Sequence, residues 1–399
     1  MGCFHLLIHT AISTWGVDEL EVAVKPAPRR RRNLHYFFKV EHVGDEPRRL
    51  TKLTLRNCPP AESLRHLRAL TALVLHDLPK STQTFVYDRL FTLGLPHLKK
   101  LHLKNCRCDS FVLVVSAPPS PATATAITEL FVDSCSFLVI ELRKAAALED
   151  LACIDDAKPV LIQFTNAPRL TRVHLSFSAS SGGGTVGDHA QYPPLIYPRR
   201  YNLSWHVRSE HMSSLAVRFT GPERWILPAR ITTRLLSLRR LLVADVLPTW
   251  DVSWPRLLLQ AAPSLETLHI HVASQARRRT TSEDEEEHVE PGREIIWPPA
   301  TFRHRRLQEL VLAGFGRTLA QVRFVRYVVR ACRVLRRVEL LRRGGVRYDG
   351  PWEWEVVRQQ QGGGGGGERH WSREEEAGIK KQILCGRSWF REDVEVVLG

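Results

Sequence analysis

The stretch from residue 98 to residue 106 reads Leu98-Lys99-Lys100-Leu101-His102-Leu103-Lys104-Asn105-Cys106. Apolar residues fall at its first, fourth and sixth positions, and a cysteine occupies the ninth. Alternate side chains of a β-strand share a face, so the fourth and sixth positions predict one buried face of a short strand. The first position packs beneath as the chain enters the strand, and the ninth turns back inward where the strand stops.

The same pattern returns along most of the chain. The repeats of this pattern begin at Leu50, Leu70, Leu98, Ile127, Leu148, Leu170, Met212, Leu238, Leu265, Leu307 and Leu335. The first six starting positions differ by 20, 28, 29, 21 and 22 residues. An L-x-x-L-x-L-x-x-N/C pattern with a period of roughly 20 to 29 residues is typical of leucine-rich repeats. The pattern predicts an α/β repeat fold: a leucine-rich-repeat solenoid with a curved parallel β-sheet on its concave side, and short helices and irregular returns on its convex side.

The lapses in the pattern predict the domain organisation. Residues 1–345 are predicted to form the repeat array, with loop insertions at about 178–210 and 275–299. Apolar residues at helical spacing predict a helix over about 318–333. Residues 346–371 are predicted to be a low-complexity linker, and residues 372–399 a C-terminal helix and strand. No polar capping unit is evident before the first repeat-like strand near Val17, so we expect the chain to start inside a larger architecture.

Composition leaves several classes of partner open. A net charge of +15 and a pI near 9.8 suit an acidic protein, an anionic membrane or nucleic acid, but also suit solvated faces with no partner. No zinc-finger, helix-turn-helix or RRM signature is present, so nucleic-acid binding is the less favoured function. The four consecutive arginines at residues 29–32 are either a nuclear-import signal or part of a solvated loop.

The cysteines and the absence of export signals predict an intracellular protein, cytoplasmic, nuclear or both. The eight cysteines form no CxxC pair, and three of them (Cys58, Cys106 and Cys135) stand at a ninth position, where a buried thiol is expected. No apolar run reaches membrane-spanning length, and the N-terminus lacks the order of a signal peptide. We therefore expect reduced cysteines and no membrane partner.

The sequence predicts no catalytic, cofactor-binding or metal-binding residues. It contains no G-x-S-x-G elbow, phosphate-binding loop or dinucleotide fingerprint. His269 and His271 lie two residues apart on one predicted strand, but a third metal ligand is not evident. The protein is therefore predicted not to be an enzyme and to need no cofactor.

Two stretches near the C-terminus resemble a known family. Residues 307–340, which include Leu-Gln-Glu-Leu-Val-Leu and Leu-Arg-Arg-Val-Glu-Leu, resemble the C-terminal FBD-type segment of plant F-box/leucine-rich-repeat proteins, particularly those of grasses. The ending at residues 394–399 and the opening at residues 9–16 are similar to the corresponding parts of that family. The resemblance implies an FBD-like segment at 302–345 that closes the array.

The resemblance also implies a function, with one departure. Members of that family recognise substrates for SCF-type ubiquitin ligases through their repeats, and bind a Skp1-like adaptor through an F-box. No segment with the Leu-Pro start and Ile-Leu-x-x-Leu-Pro core of an F-box is visible here. The resemblance therefore implies the substrate-recognition part of such a ligase, with a Skp1-like partner only if an F-box lies upstream. The alternative is a stand-alone leucine-rich-repeat scaffold that has lost the F-box.

The residues between the inward leucines are predicted to face the partner. The basic members of this set are the predicted partner-binding residues: Lys52, Arg56, His76, Lys100, His102, Lys104, Arg172 and His174. A basic concave face would attract an acidic or phosphorylated protein segment. The alternative is a row of solvated strand positions with no ligand.

Overall fold

The computed structural model describes most of the predicted array in two compact units, Met1–Arg172 and Val173–Gly399. The described residues are 2–25, 38, 49–60, 62–79, 82, 86–87, 90–91, 95–107, 112–116, 127–137, 139–155, 161–164, 167–178, 211–220, 234–246, 255–273, 302–358, 371–384 and 394–399. The predicted insertions, apart from Ser178, and the arginine run at 29–32 lie outside them, as does the predicted linker between residues 359 and 370.

The described part of the chain contains strands and few helices. The strands are β1 (Glu19–Ala23), β2 (Lys52–Arg56), β3 (Ala72–His76), β4 (Lys100–Lys104), β5 (Val112–Ser116), β6 (Glu129–Asp133), β7 (Val139–Lys144), β8 (Asp150–Asp155), β9 (Leu161–Phe164), β10 (Arg172–Ser178), β11 (Ser214–Thr220), β12 (Arg240–Val246), β13 (Thr267–Val272), β14 (Glu309–Ala313), β15 (Arg337–Leu341), β16 (Gly344–Asp349), β17 (Glu353–Arg358) and β18 (Glu395–Leu398). The helices are α1 (Gly2–Ser13), α2 (Pro255–Ala261), α3 (Leu319–Ala331) and α4 (Arg373–Leu384), with a 3-10 helix at Glu62–His66.

One long parallel sheet dominates the fold. It has thirteen strands in the order β1-β2-β3-β4-β6-β8-β10-β11-β12-β13-β14-β15-β18. A second parallel sheet consists of β5, β7 and β9, and β16 pairs with β17 as an antiparallel hairpin. The predicted α/β class and the parallel sheet are confirmed.

The spacing of the leucines explains which face of each strand is buried. In β4, Leu101 and Leu103 are fully buried, and the side chains of Lys100, His102 and Lys104 lie on the other side. We call the side of the strands that carries the fourth and sixth positions of each repeat the leucine face. The side that carries the third, fifth and seventh positions is the opposite face. Burial of a leucine side chain contributes about 2 kcal/mol, and a register shift of one residue would expose two such side chains, so it would cost about 4 kcal/mol at each strand.

Strands β2, β3, β4 and β6 each end at a turn made by the eighth position, and the corresponding Asp245 lies at an irregularity within β12. Asn57, Asp77, Asn105, Ser134 and Asp245 all have φ between 48° and 57°. Short polar side chains tolerate this left-handed conformation better than most residues. In the first unit the turn N–H donates to the next strand in the sheet: that of Asn57 to the His76 carbonyl at 2.8 Å, and that of Asn105 to the Asp133 carbonyl at 2.8 Å.

The cysteines at the ninth position are buried, as predicted. The Cys106 thiol donates to the Leu75 carbonyl at 3.3 Å, and the Cys135 thiol donates to the Leu103 carbonyl at 3.4 Å. Burial raises the pKa of Cys58 to about 12. The Cys58 thiol is therefore protonated, and all three cysteines fill small slots in the core.

The prediction of short helices and irregular returns was wrong for three segments of the first unit, which form the sheet β5-β7-β9. Leu113, Ile140 and Ile162 in these strands are buried. Their apolar alternation provides one face for the core, and their parallel pairing satisfies the backbone of segments that are too short to form helices.

The C-terminal helices begin where their capping residues predict. Thr318 caps α3 and forms a capping box with Gln321, which confirms the helix predicted over about 318–333. At α4 the Glu375 N–H donates to the Ser372 hydroxyl at 3.1 Å, and the Ser372 N–H donates to the Glu375 carboxylate at 2.9 Å. Helix α4 and strand β18 lie within residues 372–399, for which a C-terminal helix and strand were predicted.

The predicted linker at 346–371 was wrong in its first half, because β16 and β17 form a packed hairpin there. Trp354 in β17 is buried at 5% exposure, and Val346 and Val356 pack beside it. The apolar alternation of Trp354 and Val356 supplies a buried face, which a solvated linker would lack.

Helix α1 precedes the first strand, where no capping unit was predicted. It buries Ile8, Ala11 and Ile12 and leaves Leu6 and Leu7 exposed. No helix in the described part of the chain is long and apolar enough to cross a membrane.

Candidate functional site

Most of the predicted partner-binding residues lie in rows on the opposite face of the first unit. Arg56, His76 and Lys104 are neighbours on β2, β3 and β4, at the carboxyl ends of these strands. Lys52 and Lys100 share a second row on either side of Ala72. The parallel register therefore gathers residues that are up to 52 positions apart in the sequence into one surface.

Carboxylates accompany nearly all of these basic side chains. The Lys52 ammonium lies 2.8 Å from Glu19, and that of Lys100 lies 3.1 Å from Glu129. Arg172 forms a two-pronged pair with Asp150, with N–O distances of 2.5 and 2.6 Å. The surface is one of alternating charge rather than uniformly basic.

The Asp77 carboxylate lies beside both Arg56 and His76. Its carboxylate lies 2.6 Å from His76 Nδ1 and 3.6 Å from Arg56 Nε, and it accepts a hydrogen bond of 2.6 Å from Asn105 Nδ2. Burial by itself would raise the pKa of Asp77, but the interactions with Asn105, His76 and Arg56 outweigh it and lower that pKa. The carboxylate therefore stays ionised beside its basic neighbours.

Glu129 plays the same part for Lys100 and His102. Its second oxygen lies 2.6 Å from His102 Nε2. Burial opposes ionisation, but hydrogen bonds from His102 and Lys100 lower the pKa of Glu129 below its ordinary value. Asp77, Glu129, Glu19 and Asp150 were not among the predicted partner-binding residues. They stand at the eighth and third positions of units already identified, so the repeat register was the signal that could have found them.

Lys104 differs from its basic neighbours. Within the described part of the chain its ammonium meets no carboxylate, and it lies 5.5 Å from the ring centroid of Phe131. The His102 ring packs edge-on against the same ring at 5.3 Å. Phe131 thus forms an apolar floor that carries two basic side chains, and Lys104 keeps its charge available to a partner.

The opposite face of the second unit carries a cluster of buried apolar side chains, unlike that of the first. Its fifth and seventh positions include Ala216, Leu242, Ala244, Val311, Ala313 and Leu341, all of which are buried. The hairpin β16–β17 covers them: Trp354 packs against the first three, and Val356 packs against the last three. The signal in the sequence was the presence of apolar residues at these six positions.

His174, the last predicted partner-binding residue, lies beneath this hairpin. Its ring is 4% exposed, stacks on Tyr348 at 5.2 Å, and has its Nδ1 2.7 Å from the Pro351 carbonyl oxygen. Burial lowers the pKa of His174, so the neutral ring donates its Nδ1–H to that carbonyl. His174 holds the hairpin and is closed to a partner while the hairpin is in place.

A buried ion-pair cluster lies under the same hairpin. The Asp245 carboxylate pairs with Arg218 Nε, and its other oxygen lies 2.9 Å from His271 Nδ1. Burial opposes ionisation of Asp245, but the hydrogen bonds from His271 and Arg218 lower its pKa to about 2. The charges compensate one another, as a structural cluster requires.

Comparison with known arrangements adds no further assignment. Among the described residues no group of three or more His, Cys, Asp or Glu side chains could hold a metal ion. His269 packs edge-on against Trp354, with ring centroids 5.1 Å apart, and His271 is engaged by Asp245. No protein-family model, curated protein or solved structure matches this chain.

Proposed function

We propose that this chain is a protein-recognition module built as a leucine-rich-repeat solenoid, and that it is the substrate-recognition part of an SCF-type ubiquitin ligase. The observation that supports recognition is the difference between the two faces of each strand in the first unit. The leucine face and the turn recur from strand to strand, whereas the side chains of the opposite face change. A rigid repeating support with varied outward side chains suits selective binding of another protein.

Recurring backbone hydrogen bonds also support the repeat. The Thr71 and Ala72 N–H groups both donate to the Thr51 carbonyl, at 2.8 and 3.0 Å, and the next strand repeats this arrangement with Lys99, Lys100 and Thr71. The same backbone hydrogen bonds thereby position each repeat against the preceding repeat. Stacking of identical supersecondary units is the construction principle of a solenoid.

The charges indicate the kind of protein that would fit the first unit. The side chains of Lys52 and Arg56 are 46% and 49% exposed and their carboxylate partners are exposed too, and exposed ion pairs of this kind are weak, about 0 to 1 kcal/mol each. An acidic or phosphorylated segment could therefore replace a carboxylate partner at small cost and would also meet Lys104.

Nucleic-acid binding remains the less favoured alternative. The carboxylates of Glu129, Asp77 and Asp150 stand among the basic side chains and would repel a phosphate backbone. It predicts association with bulk DNA or RNA that weakens steeply with salt, whereas weak binding that is flat with salt would remove it.

The ligase role is tested with a Skp1-like adaptor. We expect the product of the whole gene, including any upstream exon, to retain the adaptor in a pull-down, and this chain by itself to retain none without an F-box. If neither protein retains it, the ligase role fails. An upstream reading frame with a Leu-Pro start and an Ile-Leu core supports the receptor, and its absence supports the second candidate, a stand-alone scaffold.

A further inference from the structure

The hairpin β16–β17 covers part of the opposite face of the second unit. In the first unit, the same face is the one that we assign to recognition. Trp354 lies in a seat formed by Ala216, Leu242 and Ala244, with the His269 ring on one side. The Arg240 guanidinium lies 4.8 Å from the indole centroid. We call these five residues the Trp354 seat.

We propose that the Trp354 seat is a peptide-binding site whose present occupant is the chain's own hairpin, and that its partner is a protein segment in which an acidic residue directly precedes a tryptophan. This inference rests on the proposed recognition function and names the surface and the chemistry of the partner. The hairpin itself supplies the template, since its sequence there is Glu353-Trp354.

The seat selects an indole by shape. Ala216 and Ala244 are small, and they leave on the sheet the volume that the large ring fills. Leu242 provides an apolar floor between them. Trp354 is only 5% exposed, so the ring is almost fully removed from water, and burial of an aromatic ring of this size dominates the energetics of such an interface.

Arg240 selects both the ring and the acid before it. Its guanidinium stacks on the indole, and its Nη1 lies 3.5 Å from the Glu353 carboxylate. A cation over an indole face attracts it, and a carboxylate on the same cation adds an ion pair. A peptide with an apolar residue before tryptophan would lose the second contact.

The hairpin does not satisfy every polar atom of its seat. In the described part of the chain both ring nitrogens of His269 are buried without a hydrogen-bond partner. His269 Nε2 lies 3.9 Å from Glu309, beyond hydrogen-bond reach. A buried polar atom without a partner costs free energy, so a ligand that offers a hydrogen-bond partner to the His269 imidazole would gain over the hairpin.

The hairpin is held by side chains rather than by the sheet ladder. Its two strands pair with each other, and the thirteen-stranded sheet includes neither. The Arg347–Glu355 and Arg358–Glu339 ion pairs at its surface are exposed on the arginine side. A two-stranded hairpin is marginally stable by itself, so its position depends largely on Trp354, Val356 and the contacts of His174.

Covalent attachment makes the hairpin a strong competitor. A tethered segment acts at an effective concentration in the millimolar range, so a partner with the same contacts would bind the intact chain weakly. Removing the indole from the hairpin should expose the seat and raise the affinity for a peptide added in trans.

The test uses a fluorescein-labelled synthetic peptide with the sequence of residues 344–358 and the full chain, in a fluorescence anisotropy titration. We expect Trp354→Ala in the chain to bind this peptide at least about tenfold more tightly than the unsubstituted chain does. Arg240→Glu added to Trp354→Ala should remove the gain. The matched control is Trp371→Ala, which removes another buried indole that an arginine stacks on, here Arg342 at 4.8 Å.

Equal binding of the peptide to the unsubstituted and Trp354→Ala chains would overturn the proposal, as would equal binding of a peptide in which the tryptophan of position 354 is alanine. Should circular dichroism show that Trp354→Ala does not fold, Gly344→Ala releases the hairpin instead, because its Cβ would stand 2.7 Å from that of Ala313. The adaptor pull-down is independent of the seat, so loss of peptide binding leaves the ligase test intact, and failure of that test leaves peptide binding intact.

Discussion

A single buried imidazole, His304, joins two segments of the second unit. Its Nε2–H donates to the Ala262 carbonyl at 2.9 Å, and its Nδ1 accepts from the Leu307 N–H at 3.0 Å. Burial lowers the pKa of His304. The ring must be neutral to accept at Nδ1, so its contribution depends on pH.

We expect the free energy of unfolding to fall as the pH drops below about 6.5, the ordinary pKa of histidine. The unfolded chain then takes up a proton that folded His304 resists, and His174 acts in the same direction. Urea denaturation at pH 7.5 and 5.5 measures the loss. His304→Gln should reduce the difference between the two pH values, whereas His211→Gln, at an exposed position, should leave it unchanged. An unchanged difference in His304→Gln would contradict the assignment.

Asn105 shows what the eighth position requires. Its φ is 48°, and its Nδ2 donates to Asp77 at 2.6 Å. We expect Asn105→Ala to lower the free energy of unfolding by about 2 kcal/mol, since alanine resists a left-handed conformation and the hydrogen bond is lost. Asn105→Gly keeps the conformation and should cost about 1 kcal/mol. Equal losses in urea denaturation would show that backbone conformation plays no part.

At the scale of elements, the close contact between the hairpin and the sheet depends on one glycine. Gly344 begins β16, and a Cβ built on it would stand 2.7 Å from the Ala313 Cβ on β14. Real side chains do not approach so closely, so the pair permits only one methyl group.

We therefore expect Gly344→Ala to loosen the hairpin and Ala313→Gly to restore it in the double variant. Hydrogen exchange read by mass spectrometry over residues 344–358 measures this. Protection should fall in Gly344→Ala and return in the double variant, and Ala313→Gly alone should keep it. Protection that stays lost in the double variant would show that the contact with Ala313 is not the cause.

At the scale of the whole molecule, the net charge of +15 is not concentrated on the candidate recognition surface. Carboxylates pair with Lys52, Arg56 and Lys100 there, and Lys104 stands out with an aromatic neighbour. The overall basicity therefore says little about the partner, and the local arrangement says more.

If the first unit recognises a protein, Lys100→Glu with Lys104→Glu should reduce partner capture at least about tenfold, because two attractive contacts become repulsive. Both side chains lie on the opposite face, so the urea midpoint should stay within the range of surface substitutions. Affinity capture followed by quantitative mass spectrometry measures the loss. Arg305→Glu with Arg306→Glu makes the same change of charge at exposed positions of the second unit. Equal capture by both variants would contradict the assigned surface.

The sequence by itself determined the strands of the long sheet and their buried face. The reason is that side chains at positions four and six of a short strand lie on the same face, so both leucines are buried only when that face packs against the core. It also determined the buried cysteines and the capped helices α3 and α4, since these features depend on neighbours a few residues away. The candidate surface was predicted only as a set of basic residues.

Only the tertiary structure decided which charges on that surface remain available and which face is covered. The pairs Lys100–Glu129 and Arg172–Asp150 join residues 29 and 22 positions apart, and Trp354 reaches residues more than 80 positions before it. Such contacts depend on the parallel register of the strands and on where the hairpin packs on the sheet. Neither is encoded in local spacing, because the free energy of a buried ring or an ion pair depends on what lies opposite it in space.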